Sequence, residues 1–353
     1  MNRFCASLFL LTLLLGGAVT HAAGQGDRMS LYGFFDFEVG SNDQVGGPAW
    51  TFDQHHLNVV SIYRLDDRWR VFAEVEWEHG PDFKTSGTSG AIILERAVVE
   101  YKHSDALQLK IGKFLTPFGL YNLRHDASPA FFSTSLPDAV YGAHANTLRA
   151  QQRLFAKVAT GLQVLGSVLG RSWALDYYLY ISNGRGSQPA SADNNSNKGI
   201  GGRLAVSVLH SAVQLGASYY ADRNGTAAQT RQQTVAMDAT VHYADFLMEA
   251  EMFVPRLERV DLAGRPDGSF RIGRGYYVQV SHPLLERWTP FGRYGLYDPD
   301  TGAPGDAERS VVVGLNFAAT GAVFFKTEVQ LRSFQDPALA SYRVWLGSVA
   351  VAF

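Results

Sequence analysis

The sequence has little of what most chains of this length use to build a domain. Its 353 residues contain a single cysteine, Cys5, which excludes a disulfide framework and a cysteine-based metal site. Charged residues make up 18%, below the roughly 25% of ordinary soluble domains. The 31 Lys and Arg against 33 Asp and Glu leave a formal charge of −2, so neither a strongly basic nucleic-acid binder nor an acidic tail fits. No nucleic-acid partner is expected. Helical periodicity is scarce, and only 145–159 reads as a short helix. After residue 22 no stretch reaches the ~18 continuous apolar residues of a transmembrane helix. Yet 46% of the chain is hydrophobic and 12% aromatic, and that apolar surface needs a place.

Residues 1–22 read as a secretory signal peptide. Arg3 supplies the positive start, Phe4 to Val19 the apolar core, and Thr20-His21-Ala22 or His21-Ala22-Ala23 the small residues of a cleavage site. Cys5 precedes the apolar core rather than coming after it, which argues against a lipoprotein. The mature domain is then 23–353.

The mature chain is built on alternation. In 68–79, Trp69, Val71, Ala73, Val75 and Trp77 fall on one side, with Arg70, Glu74, Glu76 and Glu78 on the other. That period of two belongs to a strand with one apolar and one polar face. The same pattern recurs in about sixteen segments, from 29–39 to 342–353. Most are near the ~9–11 residues that a tilted strand needs to cross a bilayer.

The connections sort the fold further. Short links such as Leu65–Asp67, Ser104-Asp105, His210-Ser211 and Ala244-Asp245 alternate with long ones such as 40–52, 80–91, 183–198 and 257–272. Tight turns at one end and long loops at the other, with an even strand count, are features of bacterial outer-membrane barrels. Trp69 and Trp77 lie eight residues apart on one face, about 20 Å along the axis of a tilted barrel. Trp345 and Phe353 repeat that spacing on the last strand, as aromatic girdles at both interfaces require. The expected fold is an all-β transmembrane antiparallel barrel of about 16 strands in the outer membrane of a Gram-negative bacterium. Its partners are then outer-membrane lipid and lipopolysaccharide, and the terminal Phe353 resembles the signal read by the barrel assembly machinery.

The third long link, 114–160, far exceeds the others, and its flanks carry a resemblance. Gly112-Lys113-Phe114-Leu115-Thr116-Pro117-Phe118-Gly119, Ser133-Thr134-Ser135-Leu136-Pro137, Tyr180-Ile181-Ser182-Asn183-Gly184-Arg185-Gly186 and Leu31-Tyr32-Gly33 resemble the phosphate-selective porin O and P family. The resemblance implies a sixteen-stranded diffusion channel, a homotrimer, and a third loop folded into the lumen as a constriction. It also implies anion selectivity, phosphate included. The phosphate-selective members place several lysines in the third loop, whereas here none lies between Lys113 and Lys157.

The polar faces supply the candidate pore-lining residues: Arg70, Glu74, Glu76, Glu78, Arg96, Lys110, Glu249, Glu251, Arg293, Lys326 and Arg332, with Arg124, Arg149 and Arg153 from the loop. Along the whole wall nine basic positions stand against twelve acidic ones. Because a ring of one sign selects the opposite ion, this mixture predicts weak selectivity, leaning to cations along the wall, with a locally basic throat. Glu74, Glu76 and Glu78 could oppose the arginines across the pore and create a transverse field, or pair with arginines on adjacent strands. A barrel with a blocked lumen, whose surface loops serve adhesion or interaction, is the alternative function.

Other signals carry no chemistry at this level. His55 and His56, adjacent on a strand, should point to opposite faces and share no metal. Gly199-Ile200-Gly201-Gly202 lacks the Lys-Ser/Thr of a phosphate loop, and no Gly-x-Ser-x-Gly joins a strand to a helix. Ser182-Asn183-Gly184 echoes an outer-membrane phospholipase motif without the histidine it would need as base. No catalytic, metal or cofactor site is expected, and the chain is not expected to be an enzyme.

Overall fold

A computed structural model describes residues 28–353 apart from 45, 46, 48, 81–89, 125–127, 142–154, 185–192, 194, 195 and 224–228. The expected signal peptide therefore lies outside the described residues.

The strands run β1 (Met29–Asn42), β2 (Thr51–Arg64), β3 (Trp69–Glu78), β4 (Ala91–Ser104) and β5 (Leu107–Leu115). After the long third connection come β6 (Val158–Leu169), β7 (Trp173–Ser182), β8 (Gly199–Val208), β9 (Val213–Arg223) and β10 (Arg231–Tyr243). The last group is β11 (Phe246–Val260), β12 (Pro266–Ile272), β13 (Arg274–Ser281), β14 (Trp288–Asp298), β15 (Glu308–Ala318), β16 (Val323–Phe334) and β17 (Tyr342–Ala352). Sequence neighbours pair antiparallel, and β1 also pairs with β17 through Phe34↔Ala352 and the rungs beyond it. β12 and β13 share one position, since β11 pairs with β13 along Leu247–Phe253 and with β12 from Arg256 onward. The result is a closed barrel of sixteen antiparallel strands, as the alternation predicts. Closure gives the backbone groups on both sides of a strand partners within the sheet.

Burial follows the period of two. Along β16, Lys326, Glu328 and Gln330 are buried while Phe325, Val329 and Leu331 are exposed. Along β10, Gln232, Thr234, Ala236 and Asp238 are buried, whereas Met237 is 62% exposed. The sheet is thus inverted relative to a soluble protein, with apolar side chains outward and polar ones inward. Outward aromatics cluster near the short turns: Trp69 against Tyr101, with ring centroids 4.7 Å apart, and Trp288 against Phe317 at 4.4 Å. The tight turn between β8 and β9 places His210 and Ser211 in the left-handed region, φ 56° and 66°, the backbone that the shortest hairpins use.

Two bulges depart from simple alternation. Between β3 and β4 the register passes from Glu74↔Arg96 to Val75↔Leu94, so Glu95 is an extra residue and both Glu95 and Arg96 turn away from the lipid-type face. Between β1 and β2 it passes from Asp36↔His56 to Glu38↔Asp53. Gln54 and His55 then oppose Phe37 alone, and a bulge re-aims the side chains around it. The expectation that His55 and His56 face opposite ways is overturned, because both rings turn to Asp36.

The helix expected over 145–159 lies mostly outside the described residues. Its described end, 155–159, is bend and strand. Among the described residues the α-helical turn of this region is instead Asp138–Tyr141, with 3-10 turns at Asn122–Arg124 and Ser128–Ala130.

Candidate functional site

The segment 114–160 is held at its neck by a small hydrogen-bond clamp. The Thr116 amide donates to the Lys157 carbonyl at 3.0 Å. Asn122 Nδ2 donates to the carbonyls of Thr116 at 2.7 Å and Lys157 at 2.9 Å, joining the outgoing and returning chain. Gly119 turns the chain at φ +66°, and a Cβ there would collide with the Glu251 carboxylate and the Tyr141 hydroxyl. Glycine supplies both the left-handed backbone and the room.

From that turn onward, side chains and amides of the segment bond to polar residues of β9, β11, β13, β14, β16 and β17. The Leu120 amide donates to Glu251 at 3.0 Å, and the Gly119 amide to Ser218 at 3.2 Å. The Tyr121 hydroxyl donates to Glu249 at 2.7 Å, and Arg124 Nη1 reaches the same carboxylate at 2.8 Å. Tyr141 donates to Glu251 at 2.9 Å, and Tyr277 to the same group at 2.6 Å. Burial beside these carboxylates pushes the Tyr121 and Tyr141 phenols well above their ordinary range, so both stay donors. Farther along, Thr134 N donates to Glu328 at 2.9 Å, Arg293 Nη2 to Ser135 Oγ at 2.8 Å, and Arg332 pairs with Asp138. Lys326 donates to the carbonyls of Ser128 and Ser133. Between these bonds lies an aromatic cluster in which Phe118 stacks on Phe155 at 4.4 Å and meets Phe253 edge-on at 5.2 Å.

The segment thus neutralises several of the charges that alternation placed inward. Glu249, Glu251, Arg293, Lys326 and Arg332, spread from β11 to β16, are brought together through it. Arg149 and Arg153 lie outside the described residues. On β3 to β5, clear of these contacts, the remaining candidates pair with residues on adjacent strands. Arg96 bonds Glu74, Arg70 bonds Glu100, and Lys110 Nζ sits 2.9 Å from Glu100. Glu74 also accepts from Asn58 at 3.0 Å. Neighbouring pairs are what the structure contains here, one of the two arrangements open from sequence. Glu76 and Glu78 approach His56 Nε2, at 3.5 and 3.9 Å.

Counting charges alone misses two things. Glu95 escapes because strict alternation assigns it outward, although the adjacent charged pair Glu95-Arg96 marks a break in period. The neutral groups Asn58, Gln232, Thr234, Gln279 and Gln330 are at most 2% exposed and belong to the same inward face. A buried ion pair, Arg203 with Asp238, spans β8 and β10, with Nη2 2.8 Å from the carboxylate.

Comparison with known proteins gives one family. A family model described as Gram-negative porin matches residues 10–336. No curated protein matches the sequence. Among solved structures, an anion-selective porin from Comamonas acidovorans is similar at TM-score 0.65 and 13% identity, with 92% of this chain and 99% of that chain covered. Salmonella typhi OmpF in complex with daunomycin gives 0.63 and 11%, covering 93% and 98%. A trimer form of OmpT from Vibrio cholerae gives 0.60 and 11%, covering 92% and 99%. At such identities the likeness establishes fold.

Proposed function

This chain belongs to the Gram-negative porin family and resides in the outer membrane, and on that premise we propose that it is a passive diffusion channel for ions and small hydrophilic solutes. The observation that carries the reading is the inverted barrel, apolar outward and lined inward by Asn58, Glu74, Gln232, Gln279 and Gln330. A polar lumen enclosed by a closed sheet is what water and solutes need to cross a bilayer. Solutes move down their gradient, and the chain acts as a channel rather than an enzyme. Segment 114–160 narrows the pore, a role supported by its bonds to Glu249, Glu251, Arg293 and Glu328.

Within the family the motifs around 112–119 and 133–137 favour the phosphate-selective O and P type. The charge balance, however, supports weak selectivity with a cation lean along the wall. Three copies assemble, as the resemblance implies and as the trimer form of the Vibrio cholerae protein supports. Phe353 is the group offered to the assembly machinery, and the aromatic rims meet lipid and lipopolysaccharide.

Liposome swelling tests the function. Vesicles containing the purified protein should swell in isosmotic small sugars, more slowly as the solute grows. Vesicles that swell no faster than protein-free ones would favour the blocked-lumen, surface-interaction reading.

A further inference from the structure

The β1–β2 bulge gathers a donor set that the channel reading leaves unused. His55 Nδ1 lies 3.0 Å from Asp36 Oδ2 and 3.1 Å from Glu38 Oε1. His56 Nδ1 lies 3.1 Å from Asp36 Oδ1. The two imidazole rings are 3.7 Å apart between centroids, and Asp36, His55 and His56 each offer a ligand atom within 4.8 Å of the others. Asp36 is 1% exposed and His56 4%, so these two are fixed in place, while the partly exposed His55 leaves a way in.

The contacts from His55 and His56 run to different oxygens of Asp36, so they are hydrogen bonds in this structure. With one donor atom per residue the set lies within 4.8 Å, and small side-chain shifts bring it to the about 3.3 Å edges that zinc bonds of ~2.0–2.1 Å require. The chemistry of the set also discriminates. Magnesium and calcium take oxygen ligands, whereas imidazole nitrogen suits zinc, copper and nickel. Among the described residues, Asp36 and Glu38 have no Arg or Lys within 4.0 Å; their ion-pair contacts are to these imidazoles, with Lys326 acting on them only from farther off. Lys326 shares the inward face but bonds the Ser128 and Ser133 carbonyls. Glu76 and Glu78 add negative charge on the other side of His56. Asp36 with the two imidazoles gives three protein ligands, the number a zinc site with an open position uses, and Glu38 adds a second carboxylate beside His55.

We propose that Asp36, His55 and His56, with Glu38 beside His55, form a binding site for a zinc-type divalent transition-metal ion on the inward face of the β1–β2 bulge. Such an ion ties β1 to β2 across the bulge and offsets the negative charge of Asp36 and Glu38.

The test is isothermal titration of untagged, detergent-solubilised protein, stripped with chelator and then titrated with zinc chloride. One zinc ion should bind per chain, and magnesium chloride should give no comparable binding. The His55→Asn/His56→Asn double variant and Asp36→Asn should each weaken zinc by at least about 10-fold. His210→Asn should leave it unchanged, because that residue lies on the tight β8–β9 turn, away from β1 and β2. Circular dichroism selects folded variants, and should the double variant misfold, Asp36→Asn and Glu38→Gln give the answer. Absence of stoichiometric zinc binding, equal binding of magnesium, unchanged affinity in the folded variants, or an equal loss in His210→Asn would overturn the proposal. None of these readouts depends on conduction, so this site and the channel function fail or stand separately.

Discussion

Gly33 and Phe353 exchange both of their backbone hydrogen bonds, Gly33 N–H to the Phe353 carbonyl at 2.7 Å and Phe353 N–H to the Gly33 carbonyl at 3.0 Å. The pair sits where the last strand meets the first, and its side-chain geometry is tight. A Cβ on Gly33 would collide with the Asn58 carbonyl oxygen and come within 2.8 Å of the Phe353 ring. Gly33→Val should therefore destabilise the closed barrel by about 1–3 kcal/mol, the usual cost of overpacking. Urea unfolding followed by tryptophan fluorescence measures it, and an unchanged midpoint would mean that the seam relaxes freely.

Arg203 and Asp238 form a second test of packing. Their side chains are 5% and 0% exposed, and removing one member of a buried pair strands the other charge at a cost of about 3–5 kcal/mol. Asp238→Asn and Arg203→Met should each lose stability on that scale in the same unfolding assay. The double variant should lose less than the sum, because no unpaired charge remains.

The bonds from Leu120, Tyr121 and Tyr141 to Glu249 and Glu251 hold segment 114–160 against the wall. Deleting roughly 120–150 should enlarge single-channel conductance. Arg332→Ala, which removes the partner of Asp138, should have a smaller effect of the same sign. Unchanged conductance in the deletion would put the segment outside the ion path.

Ion preference follows from pairing. Arg96 is tied to Glu74, Arg70 and Lys110 to Glu100, and Arg124 to Glu249, so few charges of either sign stand alone to filter ions. Reversal potentials in a salt gradient should be small and shifted toward cations. A large potential of anion sign would restore the selectivity that the resemblance implies.

Much of this fold is legible in the sequence because a membrane barrel writes its architecture as period two. Trp69 to Trp77 against Arg70 to Glu78 shows both faces of β3 without any tertiary information. The bulges are not legible in this way. A single extra residue at Glu95, or beside His55, leaves composition and spacing intact while reversing which side chains share a face. Alternation therefore sets the two histidines apart, and the bulge brings them together. The loop partners are hidden for another reason: Glu251 meets Leu120 across 131 positions of sequence, a pairing that only closure of the barrel creates. The division of one strand position into β12 and β13 at Gly273 likewise arises from register rather than from local pattern.

Whether the barrel conducts is tested most directly by planar-bilayer recording of the purified protein. An open, water-filled pore should give stepwise current increments of uniform size that rise with salt concentration. Protein that inserts into the bilayer, verified by protease protection of its strands, yet produces no increments would contradict the channel function.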